Sequence, residues 1–586
     1  MPAVSPQDQP QLVNPTEISL PQNCHSSSRE VEQRVMMWSW IVVSIFGFFQ
    51  AMAGRFYMNP DGVSYSDLAD AYSRADWHSA ISPYWSPLYP FLLSIAFRLV
   101  HPSAYFESTA IHLLNFLLYL VCFACLQLFI FEIAMPRDVQ SVNGGVRFSR
   151  PALLAFGAVA FLTVAQHYLP LSLVTPDLCV LAVALLASTA VLRLERLGIN
   201  NRRLIGLGII LGIGYLAKAA FFPVAFVFMA AALARKTALR TLLVRSCVVT
   251  AAFFAIAGPN ILAVSKIKHS ITFADTGKLN YLWFVNGMSS IHFEVPGNTQ
   301  GLPIHPSRKI FDNPNVYEFA NPVRGTYPVW FNPSYWNEGV SPRFDLEQQL
   351  NAIRATSYAY KAMFSKASEF FFAWLLLAVL QYQSGLSLLT NLQERWRILV
   401  PSLAALAVYW PVFVEGRYIA GFILIIWIAM YSSIRLPDNR VSGNVLSATL
   451  SVLAVAMLIT LYPQLHDNVE ASSQPMPNPQ WEVAKALHRD FGLQDNDSVG
   501  CIGHCFFSYW ARLAHLKIVT EIPSHQAFVF HNSSPSTRLT VLRSMAATGA
   551  KVVLTPINFG DGWERVGQTD YFLYDLRSRG TGNGTR

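Results

Sequence analysis

Trp38-Ser39-Trp40-Ile41-Val42-Val43-Ser44-Ile45-Phe46-Gly47-Phe48-Phe49-Gln50-Ala51-Met52-Ala53-Gly54 contains no charge, and Asn59-Pro60-Asp61-Gly62-Val63-Ser64-Tyr65 follows it closely. An uncharged apolar segment of about 17 residues is long enough to cross a bilayer as a helix. The first acidic residue beyond it is Asp61, a carboxylate set at the membrane–water boundary. Pro60 stiffens the loop that carries it and Gly62 releases that loop. Chemistry at such a surface points to a substrate delivered by a lipid.

The rest of the chain repeats the pattern. Of 586 residues, 53% are hydrophobic and 13% charged, against about 25% charged in a soluble domain. The mean hydropathy is +0.33. Apolar runs lie near 37–54, 107–133, 151–168, 176–194, 204–217, 219–235, 241–264, 367–385, 398–414, 416–435 and 443–463. These predict an α-helical polytopic membrane protein of about eleven spans. The pair 204–235 admits a second reading, one long tilted helix, which would reverse everything after it. The +8 net charge is spread over short loops, which argues against a nucleic-acid partner. The seven cysteines hold a single CxxC, Cys122 and Cys125, inside an apolar run and without a second such pair, which argues against zinc. The chain is polar up to about Arg34, so the first apolar run reads as a retained anchor rather than a cleaved signal.

Loop charges set the orientation. Arg29 and Arg34, then Arg137, Arg147 and Arg150, then Arg196, Arg202 and Arg203, then Arg235, Lys236 and Arg240, then Arg395 and Arg397, then Arg435 and Arg440 occupy alternate connections. The positive-inside rule places these, with the N-terminal tail 1–35, in the cytoplasm. The membrane domain is 36–463, with outer pieces 55–106 and 265–366 and an outer C-terminal region 464–586. Within 55–106, Ser64 to Ala75 and Pro87 to Val100 read as short juxtamembrane helices. In the tail, helices at Trp481–Phe491 and Ser536–Thr548 alternate with strands at Ser498–Ile502, Lys517–Thr520, Lys551–Thr555 and Tyr571–Tyr574. That alternation predicts a small α/β domain. Neither GxGxxG nor GxxxxGK[ST] occurs in it, so it is not read as a nucleotide site. Cys501 and Cys505 are spaced so that a bridge is permitted but not demanded.

Few residues in this chain can carry chemistry. Asp61 reads either as the cap of a helix starting near Ser64 or as a general base or metal-associated carboxylate. Asp67 and Asp70 share a helix face and read as solvated. Thr175-Pro176-Asp177 repeats the arrangement of Asp61 on the same side, where a helix dipole favours a carboxylate. Lys218 lies between two apolar runs on the outer side, where a lone lysine must snorkel or bind an anion. Arg417, in Glu415-Gly416-Arg417-Tyr418, reads as a partner of Glu415 or as a phosphate ligand. His167, beside Tyr168, ends the third span.

Together these residues resemble the GT-C superfamily of membrane glycosyltransferases, in particular its bacterial protein O-mannosyltransferase and aminoarabinose-transferase branch. The features that carry the resemblance are Asp61-Gly62-Val63-Ser64-Tyr65, Tyr84-Trp85-Ser86-Pro87-Leu88-Tyr89-Pro90, Thr175-Pro176-Asp177, Leu216-Ala217-Lys218 and Glu415-Gly416-Arg417-Tyr418. The resemblance implies a hexosyl- or pentosyltransferase of the cell (inner) membrane. It would move a sugar from a polyprenyl phosphate to an extracytoplasmic lipid, glycan or protein. It implies Asp61 and Asp177 as catalytic carboxylates and Lys218 and Arg417 as ligands of the donor phosphate. Tyr65, Tyr84, Trp85, Tyr89, His167, Glu415 and Tyr418 would form the substrate pocket. No cofactor is implied beyond a divalent cation in some relatives, for which Asp61 and Asp177 would be the ligands. The family's second acidic residue beside the first Asp is absent, because Gly62 follows Asp61. A transporter, or a non-catalytic scaffold or sensor with an outer binding domain, is the competing reading. These classes are separated by whether Asp61, Lys218 and Arg417 share one cavity.

The loop charges place the C-terminus outside. A reporter active only outside the cytoplasm, fused after Arg586, is expected to be active. An inactive reporter on a stable full-length protein overturns the eleven-span order.

Overall fold

Each of the eleven apolar segments forms a helix. They span Gln22–Ala53, Glu107–Ile133, Arg150–Tyr168, Asp177–Leu197, Asn201–Ala217, Phe221–Leu233, Leu239–Ile267, Ser368–Gln383, Trp396–Tyr409, Gly416–Ser432 and Arg440–Ser473. The computed structural model describes residues 22–135, 145–291, 299–319, 321–322, 324–473 and 477–577. Arg137 and residues 1–21 of the N-terminal tail lie outside the described residues. Six of the described helices are long and apolar enough to cross a membrane on length and composition alone. Leu346–Ser365 and Ser368–Gln383 form a further pair bent by 73°. Phe221–Leu233, Trp396–Tyr409 and Gly416–Ser432 are shorter apolar helices.

The bundle has two chemically distinct ends. At one end Glu132 accepts from Arg193 at 3.1 Å and Arg196 at 2.7 Å, and Arg397 pairs with Glu195 at 2.7 Å. Arg235 donates to the Leu194 carbonyl at 2.8 Å and Arg435 pairs with Glu394 at 2.7 Å at the same end. Asp61, Asp177, Lys218 and Arg417 meet at the other end. Segment 204–235 is therefore two antiparallel helices and not one tilted one. It turns at Lys218, where the Phe221 amide bonds the Lys218 carbonyl at 2.8 Å, and it returns to Arg235. Small residues let this hairpin dock. A Cβ on Gly208 would lie 2.4 Å from the Val249 carbonyl oxygen, and one on Gly212 would lie 2.7 Å from the Ile256 Cβ. Such small-residue spacing allows the close helix approach on which association in lipid depends.

The segments 55–106 and 265–366, read above as outer pieces, and the tail fold over the Asp61 end. The first holds helices Pro60–Ser73 and Leu88–Val100. The former starts one turn earlier than the sequence suggests, so Gly62 is helical instead of being a release point in a loop. Its lack of a side chain serves close approach, since a Cβ there would sit 2.4 Å from Met58 Sδ and 2.8 Å from Val174 Cβ. The tail supplies helices Pro479–Arg489 and Pro535–Ala546 and strands β3 (Ser498–Gly503), β4 (Lys517–Pro523), β5 (Val552–Thr555), β6 (Glu564–Arg565) and β7 (Phe572–Asp575). Strand β3 pairs in parallel with both β4 and β5. Two more strands, β1 (Arg308–Phe311) and β2 (Val316–Glu318), come from the piece 265–366 and extend the sheet in the order β1-β2-β4-β3-β5-β7-β6. Sequence reasoning missed these two, because each is short and only β2, through its pairing with the distant β4, links them to the sheet. The boundary read at 463 falls inside one continuous helix, which runs on to Ser473. Cys501 and Cys505 are bridged.

Asp67 is not solvated, and Asp70, 35% exposed, is only partly so. Arg512, whose side chain is only 5% exposed, bonds Asp67 at 2.8 Å, Asp70 at 2.9 Å and both oxygens of Glu107 at 2.8 Å. Asp67 also accepts from the Thr326 amide at 2.6 Å. One guanidinium thus ties the tail to the helix that carries Asp61 and to the start of Glu107–Ile133. Arg512→Ala leaves Asp67, Asp70 and Glu107 without their shared cation, a loss of about 3–5 kcal/mol in general where such a pair is buried. The expected outcome is a lower melting temperature with early proteolysis of the tail. Arg512→Lys should recover little of it, because an ammonium cannot offer the fork geometry.

Candidate functional site

Asp61 sits in the first turn of Pro60–Ser73, where Pro60 costs no hydrogen bond. The cap position belongs to Asn59, and its side chain instead accepts from the Val174 amide at 2.9 Å. Asp61 does not cap its own helix. Its Oδ1 accepts from the Trp330 indole N–H at 3.2 Å, and its Oδ2 faces Arg417 Nη1 and Nη2 at 3.4 and 3.3 Å. Burial pushes the Asp61 carboxyl above its ordinary value, against the pull of Arg417 and Trp330.

Asp177 opens helix Asp177–Leu197 and is 1% exposed. Its Oδ1 accepts from Lys218 Nζ at 2.6 Å, and its Oδ2 lies 3.6 Å from Arg417 Nη1. Lys218 Nζ also stands 3.5 Å above the Tyr418 ring centre, a cation–π contact. Its turn is held from the first outer piece, because Ser86 Oγ accepts from the Ala219 amide at 3.0 Å. Arg417, at the start of Gly416–Ser432, also bonds Glu415. Three carboxylates and two cations thus meet at one end of the bundle.

Asp61, Glu415 and Arg417 bound a cavity of about 390 Å³ that also has Tyr84, Trp283, Trp330, Phe506 and Asn280 in its walls. A narrower recess of about 90 Å³ adjoins it, lined by Tyr65, Trp85 and Lys218, with Asp61, Arg417 and Tyr418 shared between the two. Tyr65 and Tyr84 are pushed up by burial and stay protonated. Asp61, Asp177, Lys218, Glu415, Arg417, Tyr418, Tyr65, Tyr84 and Trp85 are therefore brought together. Tyr89 and His167 are not. Tyr89 is fully buried behind the recess, and its hydroxyl donates to Asn115 Oδ1 at 2.7 Å. The Asn115 amide in turn holds the Leu171 and Leu173 carbonyls in the loop before Asp177. His167 lies near Lys366 and Glu369 and lines neither cavity.

The sequence reading missed Trp330, Trp283, Asn280 and Phe506. The only signal for the two tryptophans was the density of aromatic residues in 265–366. Phe506 lies in the tail, where nothing marked it. Asp61 and Asp177 do not fit a divalent cation. Each is already held by a cation of the protein, whereas such an ion wants about six oxygen ligands. Among the described residues, no three His, Cys, Asp or Glu side chains gather as a metal site.

No protein-family model and no curated protein matches the sequence. Among solved structures, ArnT from Cupriavidus metallidurans bound to undecaprenyl phosphate superposes with a TM-score of 0.50 at 10% identity, over 92% of this chain and 97% of that one. The Archaeoglobus fulgidus oligosaccharyltransferase in complex with Zn and sulfate gives 0.48 at 14% identity, over 88% of this chain and 67% of that one. The ArnT likeness runs over nearly the whole of both chains. This chain is a multi-pass membrane protein that shares its fold with that ArnT.

The Asp177–Lys218 contact is open to a direct check. A double-mutant cycle on Asp177→Asn and Lys218→Met is expected to give a coupling of about 1–3 kcal/mol in thermal or chemical unfolding. Additive effects would mean that the pair does not interact.

Proposed function

We propose that this chain is an integral-membrane glycosyltransferase that moves a sugar from a polyprenyl phosphate to an extracytoplasmic acceptor, with Asp61 as general base. The observation that carries the reading is the convergence of Asp61, Lys218 and Arg417, from three separate segments, on one recess, with Asp177 paired to both cations beside it. A shared fold with a protein bound to undecaprenyl phosphate is consistent with it. All eleven helices cross in this reading, with the Arg-rich end in the cytoplasm and the cavity outside. A transporter would gather its ionisable residues near the membrane midplane. Here they gather at one end.

The chemistry follows from the charges. Asp61 takes the proton of an acceptor hydroxyl or amine as that atom bonds to the anomeric carbon. The bond from that carbon to the phosphate oxygen breaks, and the polyprenyl phosphate leaves with the electron pair. This leaving group is a stable anion, so it needs cations more than a protonating acid. Lys218 and Arg417 supply them, and Asp177 acts by keeping Lys218 in place. No step is assigned to a metal ion.

Mass spectrometry of glycans and glycolipids from cells with and without the gene should show one missing sugar. In purified enzyme, Asp61→Asn keeps the shape but takes no proton, and the loss of a general base typically costs about 10²- to 10⁴-fold in rate. Lys218→Ala and Arg417→Ala should weaken donor binding and slow transfer together. Asn and Asp support a helix start about equally, so near-normal transfer by Asp61→Asn would mean that the carboxylate is structural. Burial holds the Asp61 carboxyl above 3.8. The base is lost as pH falls through that raised value, so the acid limb of the rate should lie above the range of a free aspartate.

A further inference from the structure

We infer that the tail takes part in transfer, by holding Phe506 against Trp330 and so orienting the Asp61 carboxylate. The inference rests on Asp61 being the general base. Arg417 faces three carboxylates at once and approaches Asp61 only at 3.3–3.4 Å, so it supplies charge more than direction. The indole N–H of Trp330 is the directional donor, at 3.2 Å to Oδ1. It leaves the other oxygen toward Arg417 and the cavity.

Trp330 belongs to the short helix Pro328–Phe331 in an outer loop, and its indole is held mostly by other rings. Phe506 meets it edge-on, with ring centres 4.9 Å apart. Trp283, at 5.7 Å, and Trp85, at 5.8 Å, support other sides. Phe506 is the support that comes from the tail. It lies in the turn Cys505–Phe507 directly after β3, and the Cys501–Cys505 bridge ties that turn back to the buried strand. A few residues on, Arg512 clamps the tail to Pro60–Ser73, the helix that begins beside Asp61. Tyr327 of the outer loop donates to Glu521 of β4 at 2.7 Å. Base, indole and tail are thus joined in one closed circuit, and the carboxylate's direction depends on a ring more than four hundred residues away in sequence. Trp330 and Phe506 are positioning residues.

The test uses the purified full chain with two probes: the polyprenyl-phosphate sugar fraction of the source membranes as donor, and their lipid extract as acceptor. Product is read by mass spectrometry across pH. Trp330→Phe keeps the ring and removes the N–H. It should lower kcat about tenfold, the worth of one hydrogen bond to a charged group, with little change in the KM for donor. The acid limb should move to higher pH, because the lost hydrogen bond favours the charged carboxylate. Phe506→Ala and the double variant Cys501→Ser with Cys505→Ser should shift it the same way, and Phe506→Tyr should recover the Phe506→Ala loss. Melting temperatures separate these shifts from a smaller folded fraction, which lowers rate without moving the limb. If Asp61→Asn is inactive but the acid limb stays in place in Trp330→Phe and Phe506→Ala, this inference alone is overturned. If Asp61→Asn is active, the general-base reading falls and this inference falls with it.

Discussion

A guanidinium cannot shed its proton, so burying one obliges the protein to bring carboxylates to it. Arg417 is 14% exposed and has three: Asp61, Asp177 and Glu415. They come from helix Pro60–Ser73, from the start of Asp177–Leu197 and from the residue just before Gly416–Ser432. Separating any of these segments would strand a charge, and so this one residue fixes how they meet. The recess beside it inherits a second cation, Lys218, held by Asp177 and by the face of Tyr418. Cations that are already oriented and partly stripped of water stabilise an anion without reorganising at the moment it forms.

The same constraint acts a second time at Arg512. That arginine gathers Asp67, Asp70 and Glu107, and with them the tail. Helix Pro60–Ser73 is therefore pinned in two places by two buried arginines. Its first carboxylate serves the cavity, and the two that follow on its face serve the docking of the tail. Residue type does not separate these duties. What separates them is which arginine reaches each carboxylate.

The outer pieces behave as one unit. Strands β1 and β2 join the sheet of the tail, Thr326 bonds Asp67, and Tyr327 bonds Glu521. The walls of the cavity are in consequence assembled from the outer loops and the tail together, with Trp283 and Trp330 from one and Phe506 from the other. The bundle supplies Asp177, Lys218 and Arg417, and the layer folded over it supplies Asp61 and much of the aromatic surface.

The helices were legible in the sequence because a bilayer sets their length and their apolarity, and both are local properties. Asp61, Asp177, Lys218 and Arg417 were legible because a charge at the end of an apolar run is anomalous wherever it occurs. Their order along the chain also placed them on one side. The sequence could not say which way a side chain turns once its helix is placed. Tyr89 turned inward to Asn115, His167 turned away from the cavity, and Asp67 and Asp70 turned to Arg512. Nor could it join Asp61 to Trp330, two residues 269 positions apart. Membrane insertion reads composition along the chain, and composition was enough for the bundle and for the common end at which its charges meet. The shape of the cavity rests on contacts between distant segments. Their partners are chosen by packing and by the cost of an unpaired buried charge, which only the tertiary structure decides.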